Sequence, residues 1–175
     1  MVNNKINILN VDINRGGLEM VLDEATRLLD NNEKFYVCAP NAYLIVKANE
    51  DKELLNILNN AKIALPDGMS SVWYSKTFKK YFLERISGYD FFYNFSKIAN
   101  KRGYSYFLMG GKNIVVLENI KKRLQREFKN IKVKGYFCPP FMDTFTDEID
   151  DNIVRKINKC NPDILWVGIS APKQE

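Results

Sequence analysis

No histidine occurs anywhere in this chain of 175 residues. Without imidazole there is no Ser/His/Asp or Cys/His nucleophile pair, no HExxH zinc site and few routes to a transition-metal centre, because imidazole is the usual base and ligand in all of them. Cysteine is scarce too. Cys38, Cys138 and Cys160 are odd in number and lack CxxC spacing, which points away from a disulfide framework or zinc knuckle and towards a reducing compartment. No window approaches 18 consecutive apolar residues, and the opening MVNNKINILNVDINRGG breaks its short apolar run with Asn and Asp. Neither a membrane span nor a secretory signal is expected. GxGxxG and GxxxxGK[ST] are both missing, so dinucleotide and P-loop sites lack their fingerprints.

What is present describes one globular domain. Hydrophobic residues make up 46% and aromatics 13%, and 26 Lys+Arg against 21 Asp+Glu leave a net charge of +5. That composition excludes disordered and fibrous classes. The mild surplus permits attraction to phosphates or an anionic lipid surface without demanding a nucleic-acid partner, and none is expected.

Strand-length apolar runs alternate with helical patterns. Strands are predicted over 6–13, 35–39, 104–111, 131–137 and 163–170, with a short one in 62–68. Helices are predicted over 17–30, 42–61, 69–76, 90–102, 113–128 and 146–160. Strands separated by helices require crossover connections, hence an α/β, Rossmann-like fold with a mainly parallel sheet and helices on both faces. Ligands of such sheets bind beyond the carboxyl ends of strands. The final strand reads as buried and is followed by only five residues, so the natural protein is expected to continue.

The loops leaving strands carry the unusual chemistry. Pro66-Asp67-Gly68 follows a short strand; a carboxylate there suits a general base that takes a proton from a sugar hydroxyl, and equally suits a turn residue or the N-cap of the next helix. In KTFKKYFLER, Lys76, Lys79, Lys80 and Arg85 interleave with Phe78, Tyr81 and Phe82. This is either a surface for lipid headgroups or pyrophosphate, or a solvated basic face. Arg85 also precedes Ser87-Gly88-Tyr89-Asp90, a loop opening a helix whose first amides favour an anion. Gly110 and Gly111 either bring backbone close to a phosphate or form a turn of positive φ. Asn41 either binds a ligand or caps a helix. Asp147, Glu148, Asp150 and Asp151 at a helix start suit the macrodipole. With no Asp-x-Asp, no metal site is expected, and a phosphate leaving group needs Arg, Lys or backbone amides. Lys173 and Gln174 lie just beyond the last strand.

Asn41-Ala42, Leu65-Pro66-Asp67-Gly68, Arg85 with Gly88-Tyr89-Asp90, Phe107 to Gly111, and Val167-Gly168-Ile169-Ser170-Ala171-Pro172-Lys173-Gln174-Glu175 occur in one order and spacing. Together they resemble the WecG/TagA/CpsF glycosyltransferase family, over nearly the whole chain. The resemblance implies a single catalytic domain over 1–175 and an inverting, metal-independent transferase without a cofactor. Such an enzyme moves a hexose such as N-acetylmannosamine from a UDP-sugar to a polyprenyl-diphosphate-linked sugar, for teichoic acid or another cell-surface polysaccharide. It implies a cytoplasmic protein, peripheral on the inner face of the membrane, and leaves room for a homo-oligomer.

By the same resemblance Asp67 is the base and Arg85 the catalytic phosphate clamp. Asn41, Gly68, Asp90, Gly110, Gly111, Gly168, Lys173 and Gln174 bind substrate. Two departures stand out. Many relatives have Thr where this chain has Ala39, and the basic C-terminal appendage that follows PKQE is missing, so weak or no activity is expected of these 175 residues alone. The alternative is a noncatalytic nucleotide-sugar-binding or scaffold member of a polysaccharide assembly complex.

Overall fold

The first apolar run folds as a hairpin, not as the single strand expected over 6–13. In the computed structural model, which describes residues 4–142 and 144–175, β1 (Lys5–Ile8) pairs antiparallel with β2 (Val11–Asn14). Leu9 and Asn10 between them have φ of 47° and 68°, the two positive values that a two-residue type I′ turn needs to match strand twist. Asn tolerates this conformation readily and Leu does not, so the turn is only half written in the sequence.

The chain divides into two compact units, one running to Phe95 and including Glu175, the other Ser96–Gln174. In the first, α1 (Leu18–Asp30) buries Val21, Ala25 and Leu28, the i, i+4, i+7 stripe of an amphipathic helix. The Glu84 carboxylate accepts from the Leu18 amide at 3.2 Å at its start. Two short strands, β3 (Val37–Cys38) and β4 (Ile63–Ala64), run parallel. The helix expected over 42–61 is two: α2 (Ala42–Ala48) and α3 (Lys52–Asn60). Asp51 breaks it by accepting from the Glu53 and Leu54 amides at 3.0 and 3.1 Å, since a carboxylate that caps a new helix competes with continuing the old one. The Asn14 side-chain oxygen accepts from the Ala64 amide at 2.7 Å and fastens the hairpin to β4. After β4 come α4 (Met69–Phe78) and α5 (Gly88–Arg102).

The second unit holds the longest sheet. Its strands β5 (Ser105–Gly110), β6 (Lys132–Phe137) and β7 (Ile164–Gly168) are parallel, in the order β6-β5-β7. Every residue of β5 is buried, as a central strand covered on both faces requires. The connection through α6 (Ile114–Glu127) steps to one side of β5, and that through α7 (Asp147–Cys160) returns across it. Right-handed crossovers therefore put these two helices on opposite faces. Phe107 and Met109 pack with Ile153 of α7, flanked by Phe137, Ile149 and Ile157. Tyr106 meets Trp166 edge-on, and its hydroxyl lies 3.1 Å from the Ser96 hydroxyl. This is the Rossmann-like α/β arrangement that the alternation of elements implied.

Register between β5 and β7 is clamped at their amino ends. One Asp163 carboxylate oxygen accepts from the Ser105 amide at 2.7 Å and from its hydroxyl at 2.5 Å. The last strand differs from expectation in burial: Leu165 and Val167 are 41% and 37% exposed. Within the sheet β7 is terminal and pairs with β5 along one side, so an apolar sequence alone does not bury it.

Candidate active site

In the first unit, the parallel pairing of β3 and β4 sets two strand-leaving loops side by side. The Leu65 amide donates to the Cys38 carbonyl at 2.8 Å, and the Asp67 amide reaches back to the Leu65 carbonyl at 2.8 Å across Pro66. That three-residue turn redirects the chain. Gly68 follows at φ 85°, a conformation open chiefly to glycine. Gly68, not Asp67, occupies the cap position of α4, and no side chain caps that helix. The Asp67 carboxyl is therefore not spent on the helix. Half-burial pushes its pKa above the ordinary aspartate range; the Arg85 guanidinium and the Gly68 amide pull it down, Asp90 pushes it up, and the net direction is upward.

Arg85 is brought to this loop by the backbone, because the Ile86 amide donates to the Pro66 carbonyl at 3.1 Å. Its guanidinium lies 3.2 Å from Asp90 Oδ2, and the side chain stays 44% exposed. Asp90 is itself held. The same oxygen accepts from the Ser87 hydroxyl at 2.6 Å and the Ser87 amide at 3.0 Å, while the Asp90 amide donates to the Ser87 hydroxyl at 3.1 Å. These reciprocal bonds form a capping box at the start of α5. Ser87 donors above all hold the Asp90 carboxyl below its usual range, with Arg85 adding to the effect. A fixed carboxylate thus holds one outer nitrogen of a guanidinium whose side chain stays part-exposed, where an anion can reach it.

Asn41 caps α2, its side-chain oxygen accepting from the Leu44 amide at 3.1 Å. That leaves its amide nitrogen as the group to offer a ligand. Ala39 lies close by: a β-carbon built on Gly88 would meet that of Ala39 at 3.8 Å. A methyl therefore faces the start of α5.

The second unit gathers the remaining candidates at the carboxyl edge of its sheet. Gly110 and Gly168 are partners in register at the carboxyl ends of the parallel strands β5 and β7, the edge of such sheets where ligands bind. The Gly111 amide donates to the Gly168 carbonyl at 3.2 Å, and the Cys138 thiol approaches the Gly111 carbonyl at 3.4 Å. Asn113 caps α6 by accepting from the Val116 amide at 3.2 Å. Lys173 turns to the loop after β6: its ammonium bonds the Met142 carbonyl and stands 5.6 Å from the Phe141 ring centre. Gln174 follows in the terminal turn.

The first unit thus collects Asn41, Asp67, Gly68, Arg85 and Asp90, and the second collects Gly110, Gly111, Gly168 and Lys173. Ser87 went unassigned in the sequence although Ser-x-x-Asp before a helix signals a capping box. Phe141 and Met142 carried no local signal. Asp147, Glu148 and Asp150 stand in the first turn of α7. Among the described residues no three Cys, Asp or Glu side chains gather as metal ligands, and no helix is long and apolar enough to cross a membrane.

Comparison with known proteins places the chain in a family. The model of the glycosyl transferase WecG/TagA/CpsF family matches residues 6–175. An N-acetylglucosaminyldiphosphoundecaprenol N-acetyl-beta-D-mannosaminyltransferase of Bacillus subtilis is 28% identical over 86% of this chain and 59% of its own length. Proteins of the same name from Bacillus spizizenii and Staphylococcus aureus are 29% and 26% identical, over 86% and 98% of this chain and 56% and 65% of their own. The chain spans less than two thirds of the length of each.

Proposed function

The chain belongs to the WecG/TagA/CpsF glycosyltransferase family, and from that premise we propose that it carries the catalytic chemistry of an inverting hexose transfer. The donor is a UDP-sugar, such as UDP-N-acetylmannosamine, and the acceptor a polyprenyl-diphosphate-linked sugar; the product serves teichoic acid or another cell-surface polysaccharide. The names of the relatives support the acceptor class and the hexose.

The half-buried Asp67 carboxyl beside Arg85 carries this reading. Asp67 takes the proton of the acceptor hydroxyl. The freed oxygen bonds to the anomeric carbon from the face opposite the diphosphate, and the bond to the diphosphate oxygen breaks with its electron pair leaving on UDP. One base suffices for a direct displacement. A raised pKa makes the carboxylate a stronger base. The charge growing on the diphosphate is met by Arg85, which makes the reaction metal-independent in this reading. Asp90 holds that guanidinium in place. Asn41, Gly68, Gly110, Gly111, Gly168, Lys173 and Gln174 are the further substrate-binding residues of this reading. The 175 residues act as one catalytic domain, peripheral on the inner face of the cytoplasmic membrane, where its lipid-linked acceptor resides.

Acceptor-dependent UDP release tests this reading. A panel of UDP-sugars and a short-chain polyprenyl diphosphate sugar are supplied to this chain, with the full-length Bacillus subtilis relative as positive control. Release that needs both substrates, weaker than that of the positive control, is the expected result. UDP binding with no turnover on any pair favours the noncatalytic alternative, for which Ala39 beside Gly88 speaks. No UDP binding at all discards the reading.

A further inference from the structure

We propose that the outer face of α4 and the loop 79–82 form a docking surface for anionic lipid. The inference rests on the transferase reading in one respect, that an enzyme meeting its acceptor in a bilayer needs a face that holds it there. Trp73, Phe78 and Phe82 are 64%, 69% and 67% exposed, a density of bare rings unusual for solvent-facing surface. Lys76, Lys79 and Lys80 stand among them, all exposed, and residues 69–83 contain no carboxylate.

The display is built by the fold. On α4, Ser71, Val72 and Ser75 face inward and are buried, so Met69, Trp73 and Lys76 at i, i+4 and i+7 share the outward stripe. Tyr74 steadies Phe78, with ring centres 4.9 Å apart. Beyond the helix, the Ser75 carbonyl accepts from both the Lys79 and the Tyr81 amides, at 3.0 and 3.1 Å. The Ser75 hydroxyl, itself bonded to the Val72 carbonyl at 2.8 Å, accepts from the Leu83 amide at 3.4 Å. Lys80 adopts φ 52°, and the Arg15 guanidinium covers the Tyr81 ring at 4.1 Å. This tight return drives Leu83 fully inside while Phe78, Lys79, Lys80 and Phe82 project outward.

The chemistry favours a lipid surface over a protein partner. Aromatic rings settle at headgroup depth, and lysine stems lie along them while the ammonium groups reach phosphate. Each basic residue near an anionic leaflet adds roughly fivefold in affinity, so three give about a hundredfold. A partner held by apolar burial alone would not call for lysines between the rings.

The test is flotation of the 175-residue chain with vesicles of phosphatidylglycerol and phosphatidylcholine against phosphatidylcholine alone. Binding to the first, weakened by salt, is expected. Lys76→Glu/Lys79→Glu/Lys80→Glu should lose about a hundredfold or more, whereas Lys52→Glu/Lys122→Glu/Lys129→Glu, with the same net charge, should lose much less. Trp73→Ser/Phe78→Ser/Phe82→Ser should bind more weakly with its dependence on salt unchanged, and quenching of tryptophan by brominated lipid should vanish in Trp73→Phe. Equal losses in the two glutamate variants overturn the proposal, since net charge alone would then explain binding. So does a dimer that the ring variant breaks while vesicle binding persists, because a second copy would be the occupant. Circular dichroism verifies that each variant is folded. Turnover on a soluble short-chain acceptor separates the two ideas: vesicle binding without turnover discards the transferase reading alone, and turnover without vesicle binding discards the dock alone.

Discussion

Gly110 and Gly168 face each other across the ends of β5 and β7 so closely that a β-carbon on Gly110 would lie 2.2 Å from the Gly168 carbonyl oxygen. No side chain fits in that space, and Gly110 has φ 130° besides. The pair closes the carboxyl edge of the sheet where the chain turns out to α6, and leaves backbone, not side chains, at that position.

Gly110→Ala must therefore push the strands apart or distort the turn. It should cost about 3 kcal/mol or more by adding steric overlap to backbone strain, and UDP affinity should fall with it. Thermal melting and isothermal titration with UDP measure the two effects. An alanine variant with unchanged melting would mean that the two strand ends do not approach this closely.

Asp67→Asn should nearly abolish turnover yet leave the protein no less stable. The folded pKa of Asp67 lies above its ordinary value, so the folded state binds the proton more tightly and stability falls as pH rises through that window. At neutral pH the neutral amide escapes this penalty. The variant should melt at or above the parent temperature at pH 7, with the difference vanishing below about pH 4. Sustained turnover would remove Asp67 from the role of base.

The acid limb of the turnover profile should lie above the usual carboxylate range, because the base works only when ionised. Removing the Arg85 cation in Arg85→Met takes away an attraction that holds the Asp67 pKa down, and the limb should move to higher pH as the maximal rate drops by about a hundredfold or more. A limb that stays put would separate the two residues electrostatically.

Ser87→Ala removes the hydroxyl that both receives the Asp90 amide and donates to its carboxylate. Loss of the cap should cost about 1 kcal/mol. With Asp90 loosened, Arg85 is less fixed, so the Michaelis constant for the donor should rise more than the turnover number falls. Denaturant unfolding and steady-state kinetics give the two quantities. Ser87→Thr should restore both.

Much of the fold was legible along the chain because periodicity is a local property. The alternation of short apolar runs with amphipathic stretches gave every helix after 61 to within two residues, and the capping residue Asn41 stood where a helix begins. Asp51 was equally local, but its competing use as a cap inside an otherwise helical stretch is visible only once the backbone bonds are drawn. The Leu9-Asn10 turn needed a positive φ at leucine, which sequence preference argues against and which the pairing of β1 with β2 imposes.

Sequence by itself determined the absence of imidazole chemistry, the α/β order of elements and the set of loops that hold the polar and glycine residues of interest. Tertiary structure decided what those residues can do. Whether Asp67 caps a helix or keeps a half-buried carboxyl beside Arg85 depends on Gly68 taking the cap position and on the Ile86 to Pro66 bond that draws Arg85 near. Whether the last strand is buried depends on its place at the end of the order β6-β5-β7. Burial, electrostatic environment and strand neighbours arise between segments distant in sequence, and no local pattern of residue types carries them.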